Sequence, residues 1–184
     1  MSDLVIETER LLLRKFRESD FPDYEKLCAN PDVMRYLGNM GKAMDTIEAW
    51  RSFAYHVGHW ELRGYGYLIA IDKESGKFAG RIGFTNPEGW PGFELGWTIA
   101  PEFQRRGLAT EGAKRLLKYA FEEMDKSHVI SLIHPDNTPS IRVAEHLGEK
   151  PEGRTVVMGM PCVIYGIDRG TRIKDQQHRQ STTY

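Results

Sequence analysis

The sequence predicts a single mixed α/β domain in which helices cover both faces of a central, mostly antiparallel sheet. The 184 residues are enough for one domain with its own hydrophobic core. Several segments carry apolar residues at helical spacing, whereas the stretch between residues 67 and 99 reads as strands separated by turn residues. Because helices and strands alternate along the chain without a linker or repeat, the elements belong to one layered α/β unit.

The composition excludes several classes of protein. The formal net charge is −1, so no overall field attracts nucleic acid or an anionic membrane. No apolar run approaches membrane-spanning length, and the first residues lack the features of a signal peptide. The two cysteines, Cys28 and Cys162, are far apart and are typical of small buried residues in a reducing compartment. We expect a cytoplasmic protein with one domain at residues 1–172 and a polar tail at 173–184.

The first third of the chain predicts one strand followed by two helices. Residues 9–16 have a short apolar centre with charged flanks and read as the first strand. Ser19 or Asp20 then begins a helix, and Asp45 caps a second, longer helix that ends at Gly64. At helical spacing, the predicted buried face of the longer helix consists of Ile47, Trp50, Ala54 and Val57.

The remainder of the chain alternates strands and helices. The predicted strands are residues 67–72, 78–85, 93–99, 129–133, 154–158 and 163–169. A strongly amphipathic helix follows the third of these strands, with an apolar stripe made of Ala113, Leu116, Leu117, Ala120, Phe121 and Met124. Its predicted solvent face contains Glu111, Lys114, Lys118 and Glu122. Thr138 is predicted to cap the last helix, which ends at Gly148.

The loop at residues 104–110 joins a strand to this amphipathic helix and has the features of an anion site. Backbone N–H groups at a helix N-terminus are free to donate, each to a charged acceptor for about 1.5–3 kcal/mol, and the helix dipole adds roughly 0.3–1 kcal/mol. Gly107 leaves the backbone accessible. The loop therefore favours a pyrophosphate of a nucleotide-like cofactor, although spacing alone is equally consistent with a surface loop that merely turns at the glycine.

Four segments, in order, resemble the GNAT acetyltransferase family, and within it the branch related to ribosomal-protein N-terminal acetyltransferases. The first is Thr-Glu-Arg-Leu-Leu-Leu-Arg at residues 8–14, and the second joins Glu-Leu-Gly-Trp at 94–97 to the segment at 101–111. The third joins Asn-Thr-Pro-Ser at 137–140 to Ala-Glu-His-Leu-Gly at 144–148, and the fourth is the strand before Asp168. The likeness spans nearly the whole chain, from residue 8 to about 169.

The resemblance implies that acetyl-CoA is the co-substrate and that the sheet is splayed where it binds. Backbone groups of Ile99 and Ala100 would pair with the pantetheine arm. Asn137 would bond the pantetheine amide region, and Ser140 would lie near the sulfur. The pyrophosphate would be held by the loop residues Gln104, Arg105, Arg106, Gly107, Leu108, Ala109 and Thr110. The sequence departs from the family at Glu149, where an aromatic residue usually follows the Leu-Gly pair.

Attack of an amine on a thioester needs a proton acceptor for the amine and a proton for the departing thiolate. Glu94 is the predicted base, because apolar neighbours such as Trp90 would raise its pKa; pairing with an arginine of the first strand, or solvent exposure, is the alternative. Ser140 is the predicted acid, and Tyr165 is a second candidate. Trp90 and Glu94 are the predicted contacts of the acceptor.

The predicted function is transfer of an acetyl group from acetyl-CoA to a primary amine, either a protein N-terminus or a small molecule. A non-catalytic acyl-CoA-binding module of the same fold is the alternative. No metal site is expected, because His56 and His59 lack a completing ligand and are typical of surface histidines. No nucleic-acid partner is expected either, since Arg105 and Arg106 are not part of a basic stripe. The closing strands of such folds can join two subunits as a homodimer.

Overall fold

The computed structural model describes residues 4–171, so the predicted tail at 173–184 lies outside the described residues. The strands are β1 (Val5–Glu7), β2 (Leu11–Arg14), β3 (Tyr67–Asp72), β4 (Phe78–Thr85), β5 (Glu94–Ile99), β6 (His128–Ile133), β7 (Lys150–Val157) and β8 (Met160–Asp168). The α-helices are α1 (Phe21–Cys28), α2 (Pro31–Met34), α3 (Thr46–Arg63), α4 (Leu108–Glu122) and α5 (Thr138–Leu147).

Within this range the eight strands form one open sheet in the order β1-β2-β3-β4-β5-β6-β8-β7. Every neighbouring pair is antiparallel except β5 and β6, which are parallel. The predicted mixed α/β fold with a mostly antiparallel sheet is therefore confirmed. None of the helices in residues 4–171 has the length and apolarity needed to cross a membrane.

The helices lie on both faces of the sheet, and strand alternation decides which side chains meet them. On β4, Ile82 is fully buried in the main core cluster together with Leu116 and Leu117 of α4. Its neighbour Arg81 points to the opposite face, where it lies near the ring of Tyr24 from α1. The larger core is thus between the sheet and α4, and a smaller aromatic cluster lies under α1 and α3.

The first predicted strand is in fact a hairpin of two short strands. β1 and β2 pair from Val5 with Arg14 to Glu7 with Leu12, and residues 8–10 make the turn between them. Thr8 closes this turn, because its amide donates to the Leu11 carbonyl at 2.9 Å and its hydroxyl accepts from the Leu11 amide at 2.8 Å. The sequence signal was weak because β1 has only three residues, with Ile6 buried between two exposed neighbours.

Helix α3 begins and ends as predicted, but its buried face was predicted wrongly. Asp45 caps the helix through its side chain, and Gly64 ends it in the left-handed conformation with φ 73°. The residues predicted to be buried are exposed: Ile47 by 62 %, Trp50 by 48 % and Val57 by 46 %, and Ala54 likewise. The buried side chains are instead Ala49, Phe53, His56 and His59.

Helix α5 is capped by Asn137 rather than by Thr138. The Asn137 side-chain oxygen accepts from the amide of Ser140 at 3.3 Å, and Thr138 is the first helical residue. Gly148 ends the helix with φ 89°, as predicted from the sequence. This cap fixes the start of α5 at the end of β6, beside the gap in the sheet.

Candidate active site

A narrow cleft opens where β5 and β6 separate. These two strands share a single register pair, Glu94 with Ile130, and the Ile130 amide donates to the Phe93 carbonyl at 3.0 Å. The cleft is lined by Leu37, Tyr67, Arg81, Glu94, Leu95, Gly96, Trp97, Thr98, Ser131, Leu132, Ile133, Asn137 and Ser140. It brings together Glu94, Asn137 and Ser140, three of the residues predicted from the sequence.

The edge of β5 that faces this gap is partly occupied by side chains. The Ser131 hydroxyl donates to the Leu95 carbonyl at 2.8 Å, and the Gln104 side-chain amide donates to the Ile99 carbonyl at 2.9 Å. Ala100 turns the other way, because its amide donates to Ala79 on β4 and its carbonyl accepts from Phe103. Gln104 thus braces the end of β5 with its side chain, a contact that the sequence did not reveal.

The loop after β5 presents backbone N–H groups at the start of α4. Gly107 is the N-cap with φ 78°, a left-handed conformation that a side chain would strain. The first helical bond runs from the Glu111 amide to the Gly107 carbonyl, so the amides of Leu108, Ala109 and Thr110 have no partner within the helix. Arg105, also at positive φ (61°), is exposed. These features fit the anion site predicted for residues 105–110.

The β1–β2 turn holds this loop in place. Glu111, predicted to face solvent, accepts from the Thr8 hydroxyl at 2.6 Å, from the Arg10 amide at 2.8 Å and from Arg10 Nε at 2.6 Å. Arg10 also donates to the carbonyl of Arg106 at 2.8 Å. These hydrogen bonds hold the pKa of Glu111 below its usual range despite partial burial. The resemblance at residues 8–14 indicated that this segment matters, but not that it binds Glu111 and Arg106.

Arg106 points away from the helix N-terminus toward the β3–β4 turn. Its guanidinium lies 3.5 Å from Asp72 and 3.7 Å from Glu74, and it covers the ring of Phe103 at 5.4 Å. Asp72 is itself buried and accepts from the hydroxyl of Ser75 at 2.7 Å. The side chain of Arg106 therefore contacts the β3–β4 turn, whereas that of Arg105 forms no ion pair within residues 4–171.

Glu94 is a buried carboxylate, as predicted from its position on β5. It is 8 % exposed, and it accepts from Trp90 Nε1 at 2.6 Å. Burial raises the pKa of Glu94 to about 7, although the hydrogen bonds from Trp90 and from the Leu132 amide, and the charge of Arg81, each oppose the rise. Trp90 thus stabilises the ionised form rather than only desolvating it. No arginine of the first strands pairs with Glu94, because Arg14 binds Asp20.

Arg81 is the charged residue of this cleft that sequence reasoning missed. Its guanidinium lies over the ring of Tyr67 at 4.4 Å and donates from Nη1 to His56 Nε2. Burial, with the nearby charge of Arg81, lowers the pKa of His56 well below its usual range, so this imidazole is a neutral acceptor. The nearest sequence signal, a lone arginine between Gly80 and Ile82, is also typical of a solvent-facing strand position.

A second buried carboxyl group, Glu149, lies behind β6. The Ser131 hydroxyl is 3.1 Å from Glu149 Oε1 and 2.8 Å from the Leu95 carbonyl. The single Ser131 proton can be donated to either oxygen, and the Leu95 carbonyl is the nearer acceptor. Burial raises the pKa of Glu149 to about 8, although the hydrogen bond from Ser131 opposes the rise. The departure from the family pattern at this position was the sequence signal.

The structure does not bring Tyr165 into the cleft. Tyr165 lies on β8 opposite Ser131 and packs with Ile133 and Ala144 in a small cluster under α5. Its proposed role as an acid stays a prediction without a supporting contact. Ser140, in contrast, lines the cleft at the first turn of α5.

The described residues contain no group of metal ligands, and both histidines of α3 are buried rather than exposed. His59 bonds the carbonyl of Tyr65 through Nδ1 at 2.8 Å and accepts the amide of Asn86 through Nε2 at 3.2 Å. Both of its ring nitrogens are therefore used by the fold. Cys28 and Cys162 are free, and Cys28 is buried.

Comparisons with known proteins agree with this arrangement. Residues 10–150 match the family model described as an acetyltransferase (GNAT) domain. The chain is 28 % identical over 148 residues to the uncharacterized N-acetyltransferase YnaD of Bacillus subtilis, covering 80 % of this chain and 84 % of the relative.

Solved structures give the same result. An acetyltransferase from Agrobacterium tumefaciens superposes with a TM-score of 0.81 at 30 % identity, covering 92 % of this chain and 96 % of that one. The ribosomal L7/L12 alpha-N-protein acetyltransferase RimL, solved in complex with coenzyme A, superposes with a TM-score of 0.74. Its 19 % identity, over 90 % of this chain and 98 % of RimL, shows a shared fold.

Proposed function

The chain belongs to the GNAT acetyltransferase family, and from this premise we propose that it transfers the acetyl group of acetyl-CoA to a primary amine in a ternary complex. The observation that carries the proposal is Glu94, a buried carboxylate with a pKa of about 7 at the point where β5 and β6 separate. A base with a pKa near the working pH combines a large ionised fraction with useful basicity.

The residues around the gap fit acetyl-CoA as co-substrate. The free amides of Leu108, Ala109 and Thr110 and the exposed side chain of Arg105 suit a pyrophosphate, which needs donors and positive charge. The gap between β5 and β6 leaves room at the edge of β5 for an amide-containing pantetheine arm. Asn137 uses its oxygen to cap α5, so its side-chain NH₂ group is the one available to the co-substrate.

Acetyl-CoA supplies an activated acyl group, and the chain supplies position and proton transfer. A bond forms between the amine nitrogen and the acetyl carbon, and the carbon–sulfur bond breaks. Glu94 takes the proton that the amine loses, while the Ser140 hydroxyl donates a hydrogen bond toward the departing sulfur and keeps its own proton. The thiolate is protonated through water, to which Glu94 returns the proton. Trp90 and the Leu132 amide hold the Glu94 carboxylate in place during this exchange. Positioning both reactants supplies the larger part of the rate, and proton transfer adds about 10²–10⁴-fold.

The test is a measurement of acetyl-CoA binding together with CoA release. We expect acetyl-CoA to raise the melting temperature, and at least one amine from a panel of peptides, polyamines and amino acids to release CoA. Glu94→Gln should abolish most of this release while acetyl-CoA still binds. Tight binding without release from any amine would instead favour a non-catalytic acyl-CoA-binding module.

A further inference from the structure

The acceptor side of the cleft contains two opposite charges that face the same space. Arg81 and Glu94 are the two charged residues among those that line the cleft in the described part of the chain. Arg81 on β4 lies opposite Thr98 on β5, and Glu94 is four residues from Thr98 on the same strand. Because paired residues and alternate residues of a strand share a face, both charges lie on the same face of the sheet. Neither is on the face that packs against α4.

Arg81 is held in place by its neighbours but makes no direct ion pair; the nearest carboxylate, Glu94, acts on it only through space. His56 accepts from Nη1, and the rings of Tyr67 and Tyr24 lie 4.4 and 6.0 Å from the guanidinium carbon. Within residues 4–171 no carboxylate forms an ion pair with it, and its buried Nε–H has no acceptor. A guanidinium taken out of water without a direct ion pair is costly, so a fold rarely retains one without a use.

Its neighbours are suited to orient the guanidinium rather than neutralise it. His56 offers a lone pair but no charge, and Tyr67 offers the face of a ring. The Tyr67 ring is fixed in turn by close backbone approach, because a Cβ at Gly96 would lie 1.9 Å from its hydroxyl. A guanidinium with fixed orientation matches a carboxylate, which accepts charge-assisted hydrogen bonds from the N–H groups that His56 does not occupy.

We infer that the acceptor is a compact amino-carboxylate, in which Arg81 binds the carboxylate and Glu94 faces the amine. This inference rests on the proposed acetyl transfer. The cleft encloses about 50 Å³, enough for a few water molecules or a small polar end group. The same charge arrangement opposes polyamines, since a second ammonium group placed near Arg81 would be repelled.

The inference is tested by comparing free α-amino acids with their own carboxamides as acceptors for wild-type enzyme and acetyl-CoA. The carboxamides have the more acidic ammonium group, so without selection by the site they react faster at neutral pH. We expect at least one free acid to exceed its carboxamide in kcat/KM by about tenfold or more, the effect of a charge-assisted pair.

Substitution of Arg81 then tests the assigned residue. Arg81→Gln should bring the acid-to-amide ratio close to one, whereas Arg81→Lys should retain part of it. Arg51→Gln, at an exposed position of α3, is the matched control and should leave the ratio unchanged. Because the wild-type ratio is measured first, the inference can fail even where an Arg81 variant does not fold.

The outcomes separate this inference from the proposed function. Carboxamides, peptides or polyamines that react as well as free acids would overturn the inference and leave acetyl transfer standing. An Arg81→Gln variant that folds and retains the wild-type ratio would also overturn it. If no amine of any kind releases CoA although acetyl-CoA binds, the proposed function fails, and the inference fails with it.

Discussion

Replacement of Glu94 by glutamine should remove one proton acceptor while leaving the shape of the cleft intact. In wild type, burial raises the pKa of Glu94 to about 7. The carboxylate is then about one-tenth ionised at pH 6 and about nine-tenths ionised at pH 8, so a reaction that requires the ionised form rises close to tenfold over this interval. Glutamine has no such titration, and its oxygen can still accept from Trp90.

The measurement is kcat/KM for a reactive amine from pH 5.5 to 9, for wild type and for Glu94→Gln. The acceptor amine also titrates, but that contribution is common to both enzymes and cancels in the ratio of their rate constants. We expect the ratio to climb about tenfold between pH 6 and 8, to level off above pH 8, and to reach about 10²–10⁴ there. Glu61→Gln, an exposed carboxylate on α3, is the matched control with a flat ratio near one.

Any of three results would refute the reasoning. A wild-type-to-variant ratio that is large but independent of pH would show that the side chain positions a reactant and does not accept the proton. A ratio near one across the whole range would remove Glu94 from the mechanism. A plateau reached below pH 6 would mean that Trp90 and Leu132 stabilise the carboxylate more strongly than burial destabilises it.

Three further changes test other parts of the site. Glu149→Gln should make the protein more resistant to urea at high pH. Because the pKa of Glu149 in the native protein is raised to about 8 from 4.5, wild type has its full stability below pH 4.5 and loses about 3–5 kcal/mol of unfolding free energy by pH 8–9, at ~1.4 kcal/mol per pH unit. An unfolding free energy with the same pH dependence in wild type and variant would contradict this. Trp90→Phe removes a hydrogen bond to the ionised form of Glu94 and should move the rising limb of the pH–rate profile to higher pH by up to about one unit. A rising limb at the wild-type pH would show that Trp90 does not stabilise the Glu94 carboxylate. Arg10→Ala should raise KM for acetyl-CoA about 2- to 10-fold with kcat nearly unchanged, because it frees the loop at the N-terminus of α4. A loss confined to kcat, or an equal change in KM for Arg51→Ala, would show that the contacts of Arg10 with this loop do not serve cofactor binding.

The parts of this fold that were predictable from the sequence are those with local signals. Helix α4 has an apolar stripe of Ala113 to Phe121 that is buried against the sheet, and the loop before it has Pro101 and Gly107 at the positions where the backbone changes direction. The burial of Glu94 was predictable for a similar reason, because it lies within a strand of apolar residues. Such signals need no knowledge of distant partners.

The buried face of α3 was not predictable from hydrophobicity, because the surface that it covers is partly aromatic and partly polar. Arg81 projects from β4 into this interface, and His56 is buried there because its neutral ring nitrogen accepts from the guanidinium. Large apolar residues such as Ile47 and Val57 would leave that donor unsatisfied, and they lie on the opposite side. A hydrophobic-moment argument chooses the wrong face whenever the partner surface carries a buried charge.

Glu149 and Glu111 were missed for a related reason. Each acidic side chain is explained by partners distant in sequence, Ser131 in one case and the β1–β2 turn with Thr8 and Arg10 in the other. Single-sequence reasoning treats a glutamate as solvated until its partner is known. The residues whose roles were missed therefore share one property, which is that their partners lie on elements distant in the sequence.

The single register pair between β5 and β6 creates an unpaired strand edge in the middle of a sheet rather than at its border. Exposed edges normally invite pairing with another polypeptide and hence aggregation. Here the edge is enclosed, because β6 pairs with β5 at Ile130 and the Ser131 hydroxyl donates to the Leu95 carbonyl one residue further along. The remaining opening is bounded on both sides by strands of the same sheet, so this inner edge is covered by its own neighbour rather than by the charged or proline-blocked borders that protect outer strands.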